Sequence, residues 1–135
     1  MIVIDASALA KYLLREPGYD SVEKHLLEGT YSVDHAVKEV ANALWKHAVI
    51  HGKIPPERAR ELYRALTMLI EGGLVVIEPQ DKYMREAFEM ALTCGITVYD
   101  ALYIAQAKAR GAKLLTSDKV QLAAAEKLGV EALRA

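Results

Sequence analysis

Cysteine is nearly absent from this chain of 135 residues: Cys94 is the only one, so neither an intrachain disulfide nor a cysteine metal cluster can form. Phenylalanine and tryptophan occur once each, and the only asparagine is Asn42. Scarcity of thermolabile amides is a pattern of thermophilic proteins. Charge interrupts every apolar run, so no membrane-spanning helix is expected. Met1 leads straight into Ile2, Val3 and Ile4 with no basic n-region and no cleavage site. A secretory signal is therefore not expected, and a cytoplasmic location is. Excess charge of one sign is lacking too. Lys and Arg number 17 against 18 Asp and Glu, for a formal net charge of −1, which is not the footprint of a strongly basic nucleic-acid binder. That balance leaves open an enzyme that meets a polyanion through metal ions and a local Lys/Arg rim.

What is present is a globular composition, 53% hydrophobic and 26% charged, long enough to bury a core as one domain over residues 1–135. Residues 2–5 (IVID) read as a strand buried on both faces, as in a parallel sheet. A helix from Ser7 to Leu14 stops at Pro17 and Gly18, and a second from Tyr19 to Glu28 stops at Gly29. Residues 30–33 form a brief strand. A long helix is expected from Ala36 to His51, with Val37, Val40, Ala41, Leu44 and Ala48 as its apolar stripe. Pro55, Pro56 and Glu57 open the next helix, and Gly72 and Gly73 close it. Strands at 74–77, 113–116 and 130–133 then alternate with helices at 81–93, 98–109 and 118–128. Such alternation implies right-handed crossovers and an α/β fold whose parallel sheet of four to five strands is covered on both faces. Ligands of these folds bind outside the carboxyl ends of the strands, where the strand order reverses.

Four acids stand out against this pattern: Asp5, Glu39, Asp100 and Asp118 each end or interrupt an apolar stretch. A carboxylate in such a setting is costly unless something neutralises it. Asp5 ends the first strand and Asp118 follows the fourth, while Glu39 and Asp100 lie near the starts of helices entering the same edge. If those strands are neighbours, the acids form an all-oxygen cage suited to a hard divalent cation, and hence to metal-assisted chemistry on phosphate esters. Taken singly, each acid also has an ordinary structural reading. Asp5 and Asp118 read as helix N-caps, Asp100 as the acid of a capping box begun by Thr97, and Glu39 as a first-turn carboxylate facing the helix dipole. Asp34 and Asp81 resemble such caps without functional company. Shared placement at one sheet edge is what capping does not predict.

Asn42 lies one helical turn after Glu39, on the same face, where it can orient the glutamate or a water. Ser7 and Ser117 can support the neighbouring acids or serve as helix-start residues. Lys11 and Lys38 are candidates for phosphate contacts, with surface solvation as the plainer role. His47 and His51 have the i, i+4 spacing of a zinc pair, but HExxH is incomplete and a helix C-terminus accounts for them. Cys94 has no base partner for nucleophilic chemistry. No GxGxxG, Walker or GxSxG motif occurs. Tyr99 and Tyr103 flank Asp100 and are placed to line a cleft.

The set VIDASAL (3–9), EVANAL (39–44), TVYDALYIA (97–105) and LLTSD (114–118) resembles the PIN-domain family, and within it the small VapC-type toxins of prokaryotic toxin–antitoxin pairs. The resemblance runs from Ile2 to about Leu133. It implies a three-layer α/β/α fold around a central parallel sheet, Mg²⁺- or Mn²⁺-dependent endoribonuclease activity, a homodimer, and an antitoxin whose C-terminal segment covers the active site. By position, Asp5, Glu39, Asp100 and Asp118 match the family's acidic quartet, the catalytic and metal-binding residues. The auxiliary hydroxyl beside the last acid corresponds to Thr116 or Ser117. On this reading an RNA phosphodiester is hydrolysed, with Asp5 as the most direct metal ligand, Asp100 and Asp118 completing one or two sites, and Glu39 ligating or orienting water. Two other readings stand beside it. A haloacid-dehalogenase-like phosphotransferase would use Asp5 as nucleophile but wants an acid two residues on, where Ser7 stands. A non-catalytic PIN-fold module binding RNA or a partner fits the fold, and the intact quartet argues against it.

Overall fold

Five strands, β1 (Ile2–Ile4), β2 (Thr30–Val33), β3 (Val75–Glu78), β4 (Lys113–Thr116) and β5 (Ala132–Arg134), pair in parallel in the computed structural model, which describes all 135 residues. Their order in the sheet is β3-β2-β1-β4-β5. Every residue of β1 is buried, which explains the unbroken apolar run: a central parallel strand has no solvent face to supply with polar residues. Ile4 pairs with Leu115 of β4, and Val3 with Tyr31 of β2. Strand order therefore reverses at β1 and β4, and the carboxyl ends of these neighbours open the crevice that this topology offers a ligand.

The seven α-helices are α1 (Ala6–Leu13), α2 (Tyr19–Glu28), α3 (His35–Trp45), α4 (Pro56–Glu71), α5 (Met84–Cys94), α6 (Val98–Arg110) and α7 (Lys119–Lys127). Right-handed crossovers put α1 to α4 on one face and α5 to α7 on the other, and the helix contacts follow that division. The three-layer α/β/α arrangement is the one the sequence pattern implies. Helix α6 crosses β1, β2 and β4, and Ala101, Ala105 and Ala107 are fully buried where it meets the sheet. The core also holds Ile4, Leu9, Leu26, Leu66 and Leu114, each contributing about 1.5–3 kcal/mol by burial.

A buried ionic cluster secures the far end of α6. Arg110 donates twice to Glu78, at 2.7 and 2.8 Å, and its guanidinium lies 3.8 Å from the centre of the Tyr31 ring. The Tyr83 hydroxyl, Gln106 and Lys82 donate to the same carboxylate. A carboxylate that is nearly buried persists because so many donors satisfy it. The cluster fixes the lie of α6 over the sheet.

Most element boundaries match the sequence expectation to within one residue; three differ by more. Helix α3 ends at Trp45 and continues as a π-helical turn over Lys46–Ile50, with the His51 N–H donating to the Lys46 carbonyl at 3.0 Å. No side chain of that turn is buried, so packing does not hold it to the α register. Helix α5 starts at Met84, after a 3₁₀ turn at Gln80–Lys82, and Asp81 does not cap it. There the buried Tyr83 turns inward to reach Glu78 at 2.7 Å. The last strand begins at Ala132 because Leu114 pairs with that residue. Asp34 occupies the N-cap position of α3, but its carboxylate makes no capping bond and accepts instead from the Gln80 N–H at 3.2 Å.

Candidate active site

Asp5 ends β1 and caps α1, and these two jobs fix its side chain. Its Oδ1 accepts from the Ala8 N–H at 2.9 Å and from the Ser7 hydroxyl at 2.7 Å. Its Oδ2 accepts from the Thr116 hydroxyl at 2.6 Å, across the β1–β4 boundary. An ionised carboxylate offers about four acceptor positions, so these three bonds leave one on Oδ2. Only 3% of Asp5 is exposed. Burial pushes its carboxyl up from 3.8 to about 6; bonds from Thr116, Ala8 and Ser7 oppose the rise, and the charge of Asp118 adds to it.

Asp118 caps α7 by accepting from the Val120 N–H at 2.9 Å, and its own N–H donates to Thr116 at 3.0 Å. Thr116 thus joins the two strand-end acids. Asp100 lies in the first turn of α6, where the Thr97 hydroxyl accepts from its N–H at 3.2 Å. Of the capping box, this half forms. Burial, then the charges of Asp118 and Glu39, raise the Asp100 carboxyl above its ordinary value. Gln121 of α7, fully buried, donates to the Asp100 carbonyl at 2.9 Å and stands 3.2 Å from the Thr116 hydroxyl. It ties the start of α6 to the end of β4.

Glu39 reaches the cleft from α3. Tyr103 donates its hydroxyl to Oε1 at 2.7 Å. His35 Nε2 lies 2.9 Å from the same oxygen, close but not aligned as a linear hydrogen bond. Burial raises the Glu39 carboxyl, and the contacts from His35 and Tyr103 outweigh it, so the group lies below its ordinary value. Tyr103 is held well above the ordinary phenol value by burial and by Glu39, which keeps it a donor.

The four predicted acids thus form a chain of interacting charges: Asp118 acts on Asp5 and on Asp100, and Glu39 acts on Asp100. No Lys or Arg pairs with any of them; the basic side chain that acts on them is His35, which touches Glu39 and acts through space on Asp100. Such an uncompensated set of oxygen donors fits a hard divalent cation. As the side chains stand, no three converge tightly enough to ligate one ion together.

Among the auxiliary residues, Ser7 and Thr116 touch Asp5 directly. Ser117 contributes its backbone N–H, which donates to Ser7 at 3.0 Å. Asn42 is exposed and makes no hydrogen bond to the acids. Lys11 is turned away from phosphate duty: its ammonium donates to the Ala135 carbonyl at 2.8 Å. Sequence reasoning passed over His35 and Gln121. Their signals were spacing alone, His35 four residues before Glu39 and Gln121 three after Asp118.

A family model described as PIN domain matches residues 2–127. Ribonuclease VapC3 of Pyrobaculum aerophilum is 36% identical over 120 residues, covering 87% of this chain and 89% of the relative. Ribonuclease VapC1 of Mycobacterium tuberculosis is 35% identical over 131 residues, covering 96% of this chain and 93% of its own. Among solved structures, PAE2754 from Pyrobaculum aerophilum superposes with a TM-score of 0.71 at 29% identity, over 97% of this chain and 82% of that one.

Proposed function

This chain belongs to the PIN-domain family, and on that premise we propose that it is a divalent-metal-dependent endoribonuclease, the toxin of a type II toxin–antitoxin pair. The observation that carries the reading is the quartet: Asp5 and Asp118 cap helices at the reversal point of the sheet, the charges of Asp118 and Glu39 act on Asp100, and no Lys or Arg pairs with any of the four. Relatives of similar length that bear the name ribonuclease support it.

Asp5, Asp100 and Asp118, with Glu39, would hold Mg²⁺ or Mn²⁺, which supplies neutralisation of the phosphate and activation of water. The protein's own part is positioning. Ser7, Thr116 and the Ala8 N–H hold Asp5 rigid, and above a pH of about 6 it is anionic and ready as an acceptor. Glu39 keeps its charge at lower pH still and would orient an attacking water by accepting a hydrogen bond from it. The amino termini of α1 and α7 are taken by Asp5 and Asp118, so their dipoles stabilise these two carboxylates in the ionised form.

Two apolar surfaces support the partners that the family resemblance implies. A groove of about 430 Å³ between α3 and α4 is lined by Leu44, Trp45, Val49 and Tyr63 and edged by Arg60 and Arg64, which suits an acidic, amphipathic antitoxin segment. Met84, Phe88 and Leu92 form an exposed stripe along α5 suited to a second copy in a homodimer. No single helix is long and apolar enough to cross a membrane.

The test is cleavage of mixed RNA with Mg²⁺ or Mn²⁺, beside an EDTA control and Asp5→Asn. Cleavage by the metal-loaded wild type, abolished by EDTA and reduced about 100-fold or more by the substitution, is expected. No cleavage under any condition, or cleavage indifferent to both controls, overturns the assignment. RNA retained but uncut would favour the non-catalytic binding module.

A further inference from the structure

We propose that His35 and Tyr103 are positioning residues that grip one oxygen of Glu39, so that Oε2 alone faces the cleft. The inference deepens the nuclease reading and rests on it. Both contacts fall on Oε1, from Tyr103 at 2.7 Å and His35 at 2.9 Å, and Oε2 has no partner in the protein. The two contacts come from different elements. His35 is the first residue of α3, four before Glu39, whereas Tyr103 lies on α6, one turn beyond Asp100. The grip therefore sets Glu39 relative to Asp100, an acid on another helix, and not merely within α3.

His35 is an expensive choice for a purely structural position. Its side chain is 4% exposed, and neither ring nitrogen makes a well-formed hydrogen bond within the protein. Burial of an imidazole without full partners costs free energy that a leucine would not. Its ring sits between Tyr103, 4.8 Å away centre to centre, and Tyr99 at 5.7 Å, the latter mostly exposed beside Asp100. An apolar side chain fills that space equally well, so packing alone does not ask for histidine. What histidine adds is a nitrogen against the Glu39 carboxylate. Asp5 is immobilised by three bonds of its own, and the His35–Tyr103 pair does the same for Glu39 with one hydrogen bond and one close charge contact. Glu39 then acts through a single, fixed oxygen, as a one-oxygen ligand or water acceptor.

The test uses His35→Leu, His35→Gln, Tyr103→Phe, Glu39→Gln and the double variant of His35→Leu with Glu39→Gln. RNA cleavage kinetics, Mn²⁺ affinity by isothermal titration and the melting temperature are read for each. His35→Leu and Tyr103→Phe are each expected to lower kcat about ten-fold with KM little changed, and to weaken Mn²⁺ binding several-fold, without loss of thermal stability. His35→Gln, which restores an N–H, recovers part of both. In the Glu39→Gln background His35→Leu has no further effect, because the group it positions is gone. An equal loss in both backgrounds, or rate and affinity untouched by either single variant, overturns the grip. Wild-type protein that binds Mn²⁺ in a His35-dependent way yet cuts no RNA overturns the nuclease reading alone. Cleavage indifferent to His35 and Tyr103 overturns the grip alone, and neither binding nor cleavage overturns both.

Discussion

Asp5 carries its charge at a cost to the fold, and Asp5→Asn should expose that cost. The carboxyl is pushed up from 3.8 to about 6, burial being the largest cause. In the unfolded chain it ionises near its ordinary value. Below a pH of about 4 the group is neutral in both states and imposes no penalty. As pH rises through about 6 the native state must ionise a group it prefers protonated, and that contribution to stability is lost. One pKa unit corresponds to about 1.4 kcal/mol, so the full penalty above pH 7 is about 3 kcal/mol. Asparagine keeps the shape without the charge. Its carbonyl oxygen can still accept from Ala8 and Ser7, and its amide can donate to Thr116, whose hydroxyl then turns to Gln121, 3.2 Å away. Asp5→Asn is therefore expected to gain about 2–3 kcal/mol at pH 8 in EDTA, a rise in melting temperature of about 6–12 °C. At pH 4 the gain vanishes. Urea denaturation of both proteins at the two pH values measures it. A variant no more stable than wild type at pH 8, or one equally favoured at pH 4, refutes the reasoning. Mg²⁺ should then narrow the gap, since only wild type gains binding free energy, about 2.7 kcal/mol at 100 times Kd.

Arg110→Met leaves Glu78 nearly buried without its twofold partner and removes the stacking on Tyr31, for an expected loss of about 3 kcal/mol in urea denaturation. Arg110, opposed by burial and helped by Gln106, Tyr83 and Lys82, holds the Glu78 carboxyl far below 4.5. The cluster's stabilisation is thus fully present above a pH of about 4.5 and is lost as pH falls below it. Arg110→Met should flatten the acid side of the stability profile, and an unchanged acid slope would count against this role. Thr116→Val deletes the hydroxyl that donates to Asp5 Oδ2 at 2.6 Å, so in EDTA the Asp5 carboxyl of the metal-free protein should titrate higher than in wild type. An unchanged titration of Asp5, followed by NMR of its carboxyl carbon, would count against that bond.

Much of this arrangement was legible in short stretches of sequence. Residues 2–4 had to be a doubly covered strand because three consecutive apolar residues without alternation leave no solvent face. Asp5 and Asp118 were readable both as caps and as candidate site residues; each caps its helix by accepting from an amide there, and each stands at the edge where the strand order reverses. Capping is local chemistry, so it never competed with the candidate site. The α3 boundary was misjudged for the opposite reason. Its apolar stripe continues through Ala48, yet no residue of that segment is buried, and the helix runs on as a π turn there.

Pattern along the chain was enough to specify the elements, the parallel sheet and four acids at its carboxyl edge. Periodicity, caps and turn residues act over a few positions and leave their marks there. Tertiary structure alone decided which acid would be buried deeply enough to titrate near 6, and which would keep its charge. It also brought Tyr103 to Glu39 across 64 residues, Arg110 to Glu78 across 32, and Gln121 to Asp100 across 21. Desolvation and Coulomb forces depend on distance through space, and no spacing along the chain encodes that distance.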